Sequence, residues 1–163
     1  MADILQAKHD LLEFVNGLNH KYELSKTVGE DYYEPGMMEN LEQYRGEYVE
    51  QVNMIFLRVE SKGLRYDNQT QNLERVSVGD EVRIVRDNDN PFNSNNFAIK
   101  SNKNEALGNL PAELCNALAP LYDAGYATIL TATVSYIERL KDRSRYAKQG
   151  VMFVELNIKM RGI

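Results

Sequence analysis

From about residue 51 the apolar residues stop recurring at helical spacing and begin to follow strand patterns. The clearest case is near the C-terminal end, where Val154, Leu156, Ile158 and Met160 alternate with Glu155, Asn157 and Lys159. Successive side chains leave a pleated strand on opposite faces, so this alternation demands a strand with one face in a core. Residues 52–59, 81–86, 97–100 and 106–108 read as further strands, and residues 128–137 are rich in β-branched side chains. Ser61-Lys62-Gly63, Val78-Gly79-Asp80 and the Asn-, Asp- and Pro-dense stretch 87–96 supply the turns between them. One helix interrupts the strands. Pro111 suits its first position, where a missing N–H costs nothing, and Leu114, Leu118 and Leu121 mark its buried face. Pro120 is expected to bend or end it, with Gly125 closing the turn. Six short strands with one inserted short helix predict a small closed or partly open β-barrel.

The first fifty residues follow a different pattern. Ile4, Leu11, Leu12, Val15 and Leu18 predict an amphipathic helix from about residue 3 to about residue 16 or beyond, either a packing helix or one that docks a partner. Residues 29–36 read as a polar loop. Met37, Leu41, Tyr44 and Tyr48 recur at steps of 4, 3 and 4 and predict a second, short helix, weakened near its end by Gly46. The chain thus divides into an acidic helical segment, residues 1–48, and a barrel domain, residues 49–163. Charge follows a similar division: residues 1–50 sum to −7 and residues 51–163 to +2, giving −5 for the whole. The acidic head is expected either to mask a groove on the body or to dock a protein partner.

Several functions are disfavoured. Cys115 is the single cysteine, so neither an intrachain disulfide nor a four-cysteine zinc site can form, which fits a reducing cytosol. The first residues lack the basic-then-apolar order of a signal peptide, and no run approaches the ~20 apolar residues of a membrane span, so a cytoplasmic protein with no membrane association is expected. Nucleophile-elbow, phosphate-loop, dinucleotide and zinc-protease motifs are all missing. His9 and His20 do not sit one helical turn apart. Asp87-Asn88-Asp89-Asn90 begins like a calcium loop, but Pro91, Phe92 and Ala98 occupy positions that such a loop gives to other residues. Asp87 and Asp89 form a carboxylate pair with no nucleophile or ligand set beside it, leaving metal-dependent hydrolysis as an outlying reading. The expectation is a non-enzymatic protein with no cofactor and no bound metal.

Three stretches carry recognition chemistry. Gly63-Leu64-Arg65-Tyr66 follows a strand, and Arg86-Asp87-Asn88-Asp89-Asn90-Pro91-Phe92-Asn93-Ser94-Asn95 follows another. Each sets an aromatic ring beside groups that bond phosphate, sugar or base edges. Turns and half-buried rings are the plainer interpretation of the same residues. The third stretch, residues 139–148, has five bases against one acid. It is either a phosphate-contacting loop or a solvated hairpin tip.

Taken in order, Gly63-Leu64-Arg65-Tyr66, Val78-Gly79-Asp80-Glu81-Val82-Arg83-Ile84-Val85-Arg86, Asp89-Asn90-Pro91-Phe92-Asn93-Ser94-Asn95, Leu107-Gly108-Asn109-Leu110-Pro111-Ala112-Glu113-Leu114 and Ala117-Leu118-Ala119-Pro120-Leu121 resemble the HIRAN domain over about residues 50–160. The resemblance implies an OB-like β-barrel with a short helix. In eukaryotes the domain sits at the front of Swi/Snf-type helicases, where it binds single-stranded DNA, captures the free 3′-hydroxyl end and guides fork remodelling. It therefore implies a nucleic-acid-binding role in DNA repair or replication-fork processing, with single-stranded DNA as the partner. The sequence carries no helicase motor and no RING finger, so ATP hydrolysis and ubiquitin transfer are not carried over.

By the same resemblance Arg65 contacts phosphate and Tyr66 stacks on or walls off the terminal nucleotide. Asp67 stands where the family often has a second aromatic, which removes a stacking surface and adds a negative charge. Asn90 matches the family's Asn before Pro, and Phe92 replaces the usual Tyr. Asn93 stands where Asp is typical and accepts from the 3′-hydroxyl. An amide accepts less strongly than a carboxylate and repels phosphate less, so discrimination against a 3′-phosphate should be looser. Asn109 occupies a backbone-contacting position, and Met152 or Phe153 flanks the pocket from the last strand. The alternative is a protein-interaction adaptor that uses the barrel and the acidic helical head.

Overall fold

The computed structural model describes residues 3–27 and 40–162. Helix α1 spans Ile4–Thr27, longer than its strongest periodicity. Asp3 opens it by accepting the Gln6 N–H at 3.1 Å. Ala7, Leu11, Val15 and Leu18 form its buried stripe and join the same core cluster as the strands. The polar loop expected at residues 29–36 and Met37 of the second expected helix lie outside the described residues.

The second helix is replaced by a single 3-10 turn, Leu41–Gln43, followed by strand β1, Arg45–Val49. Two contacts override the helical spacing of Leu41, Tyr44 and Tyr48. β1 pairs antiparallel with β2, Met54–Glu60, from Arg45↔Arg58 to Val49↔Met54. At Gly46 the strand also presses on α1, so closely that a Cβ there would lie 2.0 Å from the Val15 carbonyl oxygen. The hairpin between these strands uses the turn Glu50–Val52 and Asn53, whose φ of 51° lies in the left-handed region that Asn tolerates.

The remaining strands are β3, Val82–Asp87; β4, Asn96–Ser101; β5, Ala106–Asn109; β6, Ala127–Glu138; and β7, Val151–Met160. A four-residue helix α2, Gln69–Asn72, lies between β2 and β3, and α3, Ala112–Asp123, between β5 and β6. Pro120 neither bends α3 to a stop nor ends it at once, and the helix runs three residues further. The carbonyl that Pro120 cannot bond belongs to exposed Asn116, where water can satisfy it. Gly125, at φ 82°, then reverses the chain.

The expected six-stranded barrel is not what forms. Among the described residues, seven strands make two antiparallel sheets, one ordered β1-β2-β7-β6 and one β3-β4-β5. They touch through two isolated bridges, Lys62↔Asn109 and Glu81↔Thr133. Beyond the second bridge β3 and β6 diverge, leaving a cleft of about 500 Å³ lined by Val82, Ile84, Tyr122, Ile129 and Leu130 among others. The β6–β7 register shifts between Ile129 and Thr131, a bulge that bends β6 beside this opening. In β7 the alternation holds for Leu156, Ile158 and Met160, whereas Val151, Met152, Phe153 and Val154 are buried in succession, so that end of the strand is covered on both faces. No helix among the described residues is long and apolar enough to cross a membrane.

The core makes α1 cooperative with the sheets. Leu11 is fully buried, so Leu11→Ala should cost about 2–5 kcal/mol. At about 2–4 °C per kcal/mol, a thermal melt would report a drop of several degrees. A loss below ~1 kcal/mol would show that α1 does not belong to the cooperative unit.

Candidate nucleic-acid interface

Beyond β2 the chain turns at Gly63, whose φ of 83° requires the left-handed region that glycine enters freely. Leu64 anchors the turn in the core, fully buried. Its carbonyl accepts the Thr70 N–H at 2.8 Å. With Leu64 inward, Arg65 and Tyr66 are left outside, and the Arg65 N–H donates to Gln149 Oε1 at 3.0 Å. The Arg65 guanidinium lies 4.9 Å from the centre of the Tyr66 ring and donates to its hydroxyl at 2.7 Å. One ring face is thus covered by a cation while Tyr66 stays 57% exposed. Asp67 and Asn68 follow at φ 54° and 56°, and both are exposed. Asp and Asn are the non-glycine residues that best tolerate such backbone, which accounts for Asp67 at this position.

The asparagine-rich loop is shaped by its own amides. Asn90 Oδ1 accepts the N–H groups of Phe92 and Asn93 at 2.9 and 3.0 Å, an Asx turn that leaves Phe92 95% exposed. Asn93 Oδ1 accepts the Asn95 N–H at 3.0 Å, while its amide nitrogen donates to Asn116 Oδ1 on α3, also at 3.0 Å. Arg86 holds the loop from beneath, donating to the Ser94 and Asn96 carbonyls at 2.8 and 3.2 Å and forming a two-pronged pair with Asp123 at 3.0 Å.

The two loops meet through a residue that the sequence did not single out. Buried Asn96 donates to Asp87 Oδ2 at 3.2 Å and to Asn109 Oδ1 at 2.9 Å. Asp87 Oδ2 also accepts from Asn90 Nδ2 at 3.1 Å. Asn109 lies beside the other loop, since a Cβ on Gly63 would sit 3.3 Å from its amide nitrogen and 3.8 Å from the Tyr66 ring. A continuous polar chain therefore runs from the Tyr66 turn through Asn109, Asn96 and Asp87 to Asn90. Buried polar groups must find partners, and that rule is the signal by which an Asn at the first position of β4 could have been noticed.

Arg65, Tyr66, Asp67, Asn90, Phe92, Asn93 and Asn109 all lie along this chain or on the loops it connects. Phe153 does not offer a surface. It is fully buried, packed edge-on against Tyr44 at 5.0 Å and Tyr136 at 6.0 Å, and Met152 is also fully buried. That end of β7 is covered on both faces, so its aromatic serves the core and not the pocket. Burial, with the Glu60 charge adding to it, pushes the Tyr44 phenol up to about 12. Elsewhere, His9 lies 3.2 Å from Glu13 on the solvated side of α1.

Cys115 closes the underside. Its thiol is buried in α3, 3.5 Å from the Leu110 carbonyl and 3.9 Å from Asn96 Oδ1. Burial pushes it up to about 11, against smaller lowering contributions from the Phe97 backbone and the Arg86 charge.

Comparison with known proteins gives a family and a fold. The HIRAN domain family matches residues 54–151. Among solved structures, the HIRAN domain of human HLTF is similar at 24% identity, covering 64% of this chain and 76% of that one, with a TM-score of 0.46. A protein from Lactobacillus plantarum is similar at 19% identity, covering 64% of this chain and 92% of that one, with a TM-score of 0.50, a likeness of fold. No curated protein matches the chain.

Two outcomes test this geometry. Asn96→Asp removes the donor shared by Asp87 and Asn109 and sets a carboxylate against Asp87. It should cost about 2 kcal/mol or more in urea denaturation, and an unchanged midpoint would refute the connecting role. At pH 8 the Cys115 thiol, raised from 9.0 to about 11, stays protonated in the fold. Iodoacetamide should therefore label it only as fast as the protein opens, with a large acceleration in denaturant; rapid native labelling would contradict its burial.

Proposed function

Because this chain belongs to the HIRAN domain family, we propose that it is a nucleic-acid-binding module that holds single-stranded DNA at its free 3′-hydroxyl end, in repair or replication-fork processing. The observation that carries the reading is the polar chain from the Tyr66 turn to the Asn90 loop. It unites two recognition stretches that are distant in sequence. The exposed face of Tyr66 stacks on the terminal base, and Phe92 offers a second ring. Arg65 spends one donor on the Tyr66 hydroxyl and keeps others for phosphate.

The amides divide the sugar contacts. Asn90 Oδ1 is occupied by two backbone N–H groups, so Asn90 acts through the second hydrogen of its amide nitrogen, as a donor. Asn93 Oδ1 has accepted one N–H and retains capacity for a hydroxyl proton. A terminal hydroxyl can donate to Asn93, and a phosphate in its ionised form cannot. Asn93 nonetheless carries no charge to repel phosphate, so the preference for hydroxyl is moderate. Asn109 supports Asn96 and reaches toward the backbone.

The adaptor reading needs an exposed apolar stripe on the head. Ala7, Leu11, Val15 and Leu18 are instead buried, and Leu5 is the large hydrophobic residue that α1 exposes. No observation favours that reading over DNA binding.

Fluorescence anisotropy on the full chain, at two salt concentrations, separates the possibilities. A labelled strand is competed with a 3′-hydroxyl strand, a 3′-phosphate strand and a closed circle. The 3′-hydroxyl strand should compete best, and Tyr66→Ala should weaken it about tenfold, within the cost of losing one base stack. Affinity should also fall with salt at a logarithmic slope of about −0.7 per phosphate contacted. Equal competition by the three strands would remove end recognition, and no binding even at low salt would remove the nucleic-acid role.

A further inference from the structure

The loop between β6 and β7 repeats the arrangement found at Tyr66. The Arg145 guanidinium lies 4.8 Å from the centre of the Tyr146 ring and donates to its hydroxyl at 2.7 Å. The corresponding values for Arg65 and Tyr66 are 4.9 Å and 2.7 Å. Tyr146 is 76% exposed, so the ring supports no core.

The loop is built to hold this pair near the first. Arg143 donates to the Gln149 carbonyl at 3.0 Å and so closes the tip. Ser144 accepts the Tyr146 N–H at 3.2 Å through its hydroxyl and the Ala147 N–H at 2.9 Å through its carbonyl. The far side of the tip is joined to the turn after β2 at two points. Gln149 Oε1 accepts the Arg65 N–H at 3.0 Å, and Gly150 donates to Thr70 Oγ1 at 2.7 Å. Gly150 packs closely there, since a Cβ would meet Leu73 at 2.7 Å and the Glu138 carbonyl at 2.8 Å. Tyr146 is three residues from Gln149, so their Cα atoms are at most about 11 Å apart.

Charge in the loop is sorted in the same sense. Arg139 bonds the Val76 carbonyl and faces Glu74, and Arg143 faces Glu138. Among the described residues Lys141, Arg145 and Lys148 have no acidic partner, and Arg145 bonds the Tyr146 hydroxyl.

We propose that Arg145 and Tyr146 form a second base-stacking platform, which takes a nucleotide on the 5′ side of the two terminal nucleotides held at the Tyr66 site. The proposal rests on the DNA-end reading of the Tyr66 site. A strand whose 3′ terminus sits there can leave only in its 5′ direction. Beyond the Gln149 contact the β6–β7 loop presents Tyr146, an exposed ring with a cation over one face. Stacking tolerates any base, and Arg145 keeps donors for the adjoining phosphate.

The test uses the full chain with two 3′-hydroxyl probes, a thymidine dinucleotide and a thymidine dodecamer. Tyr146→Ala should leave dinucleotide affinity and the preference over 3′-phosphate unchanged, and weaken the dodecamer about tenfold. Tyr146→Phe should restore the dodecamer. Arg145→Gln should lower the salt slope on the dodecamer by about 0.7 without altering the dinucleotide. Equal dodecamer binding by wild type and Tyr146→Ala overturns the proposal, as does an equal loss on both probes, which would place Tyr146 in the terminal pocket or in the fold. Tyr66→Ala distinguishes the two sites, since it should weaken both probes and erase the end preference. If the wild type binds the dodecamer and Tyr66→Ala changes nothing, the end reading fails separately. If the wild type binds neither probe, both fail.

Discussion

The two sheets are held together beside the recognition loops by a reciprocal pair of backbone hydrogen bonds. Lys62 and Asn109 exchange N–H and carbonyl at 2.8 Å in each direction. This contact depends on Gly108. Its φ is 86°, and a Cβ on it would lie 2.1 Å from Ser61 Oγ and 2.7 Å from the Lys62 carbonyl. Buried Ser61 uses that hydroxyl to bond the Leu107 carbonyl at 2.6 Å. The end of β2 can meet the end of β5 only because one residue has no side chain. From that contact Asn109 reaches Asn96, and the asparagine loop gains its fixed relation to the Tyr66 turn.

Uncharged amides suit this position. An amide donates and accepts at once, so Asn90, Asn93, Asn96 and Asn109 can pass hydrogen bonds along a chain in which Asp87 is the acid. A run of carboxylates would need counter-charges and would repel phosphate. The arginine beneath the loop, Arg86, is already bound to Asp123 and to two carbonyls, so its task is structural. Arg65 and Arg145, beside the two exposed tyrosines, each spend one donor on a tyrosine hydroxyl and retain others.

The acidic head has a different meaning in three dimensions from its meaning as a charge count. Ile4–Thr27 form a helix whose apolar stripe completes the core, and Lys21 lies 4.5 Å from the centre of the Tyr44 ring. Tyr44 packs in turn on Phe153 of β7. The periodicity of Ile4, Leu11, Val15 and Leu18 already marked this face. It could not show that the face would close on a strand, because Gly46 reads as a weak helix residue until the Val15 carbonyl is seen against it.

What the residues determined unaided was local. Alternation, β-branching and turn residues located the strands from β2 to β7, Pro111 marked the residue just before α3, and the ordered motifs marked the family. These signals act over a few residues and survive in a linear reading. Tertiary structure alone decided how the strands closed. Two sheets bridged at Lys62–Asn109 and Glu81–Thr133 replaced a barrel, because pairing depends on partners far away in the chain. It also turned residues 45–49 into an edge strand, buried Phe153 and brought Asn96, Asn116 and Gln149 to the recognition loops. Each of those outcomes depends on which surface arrives opposite a residue, and no neighbour in sequence carries that information.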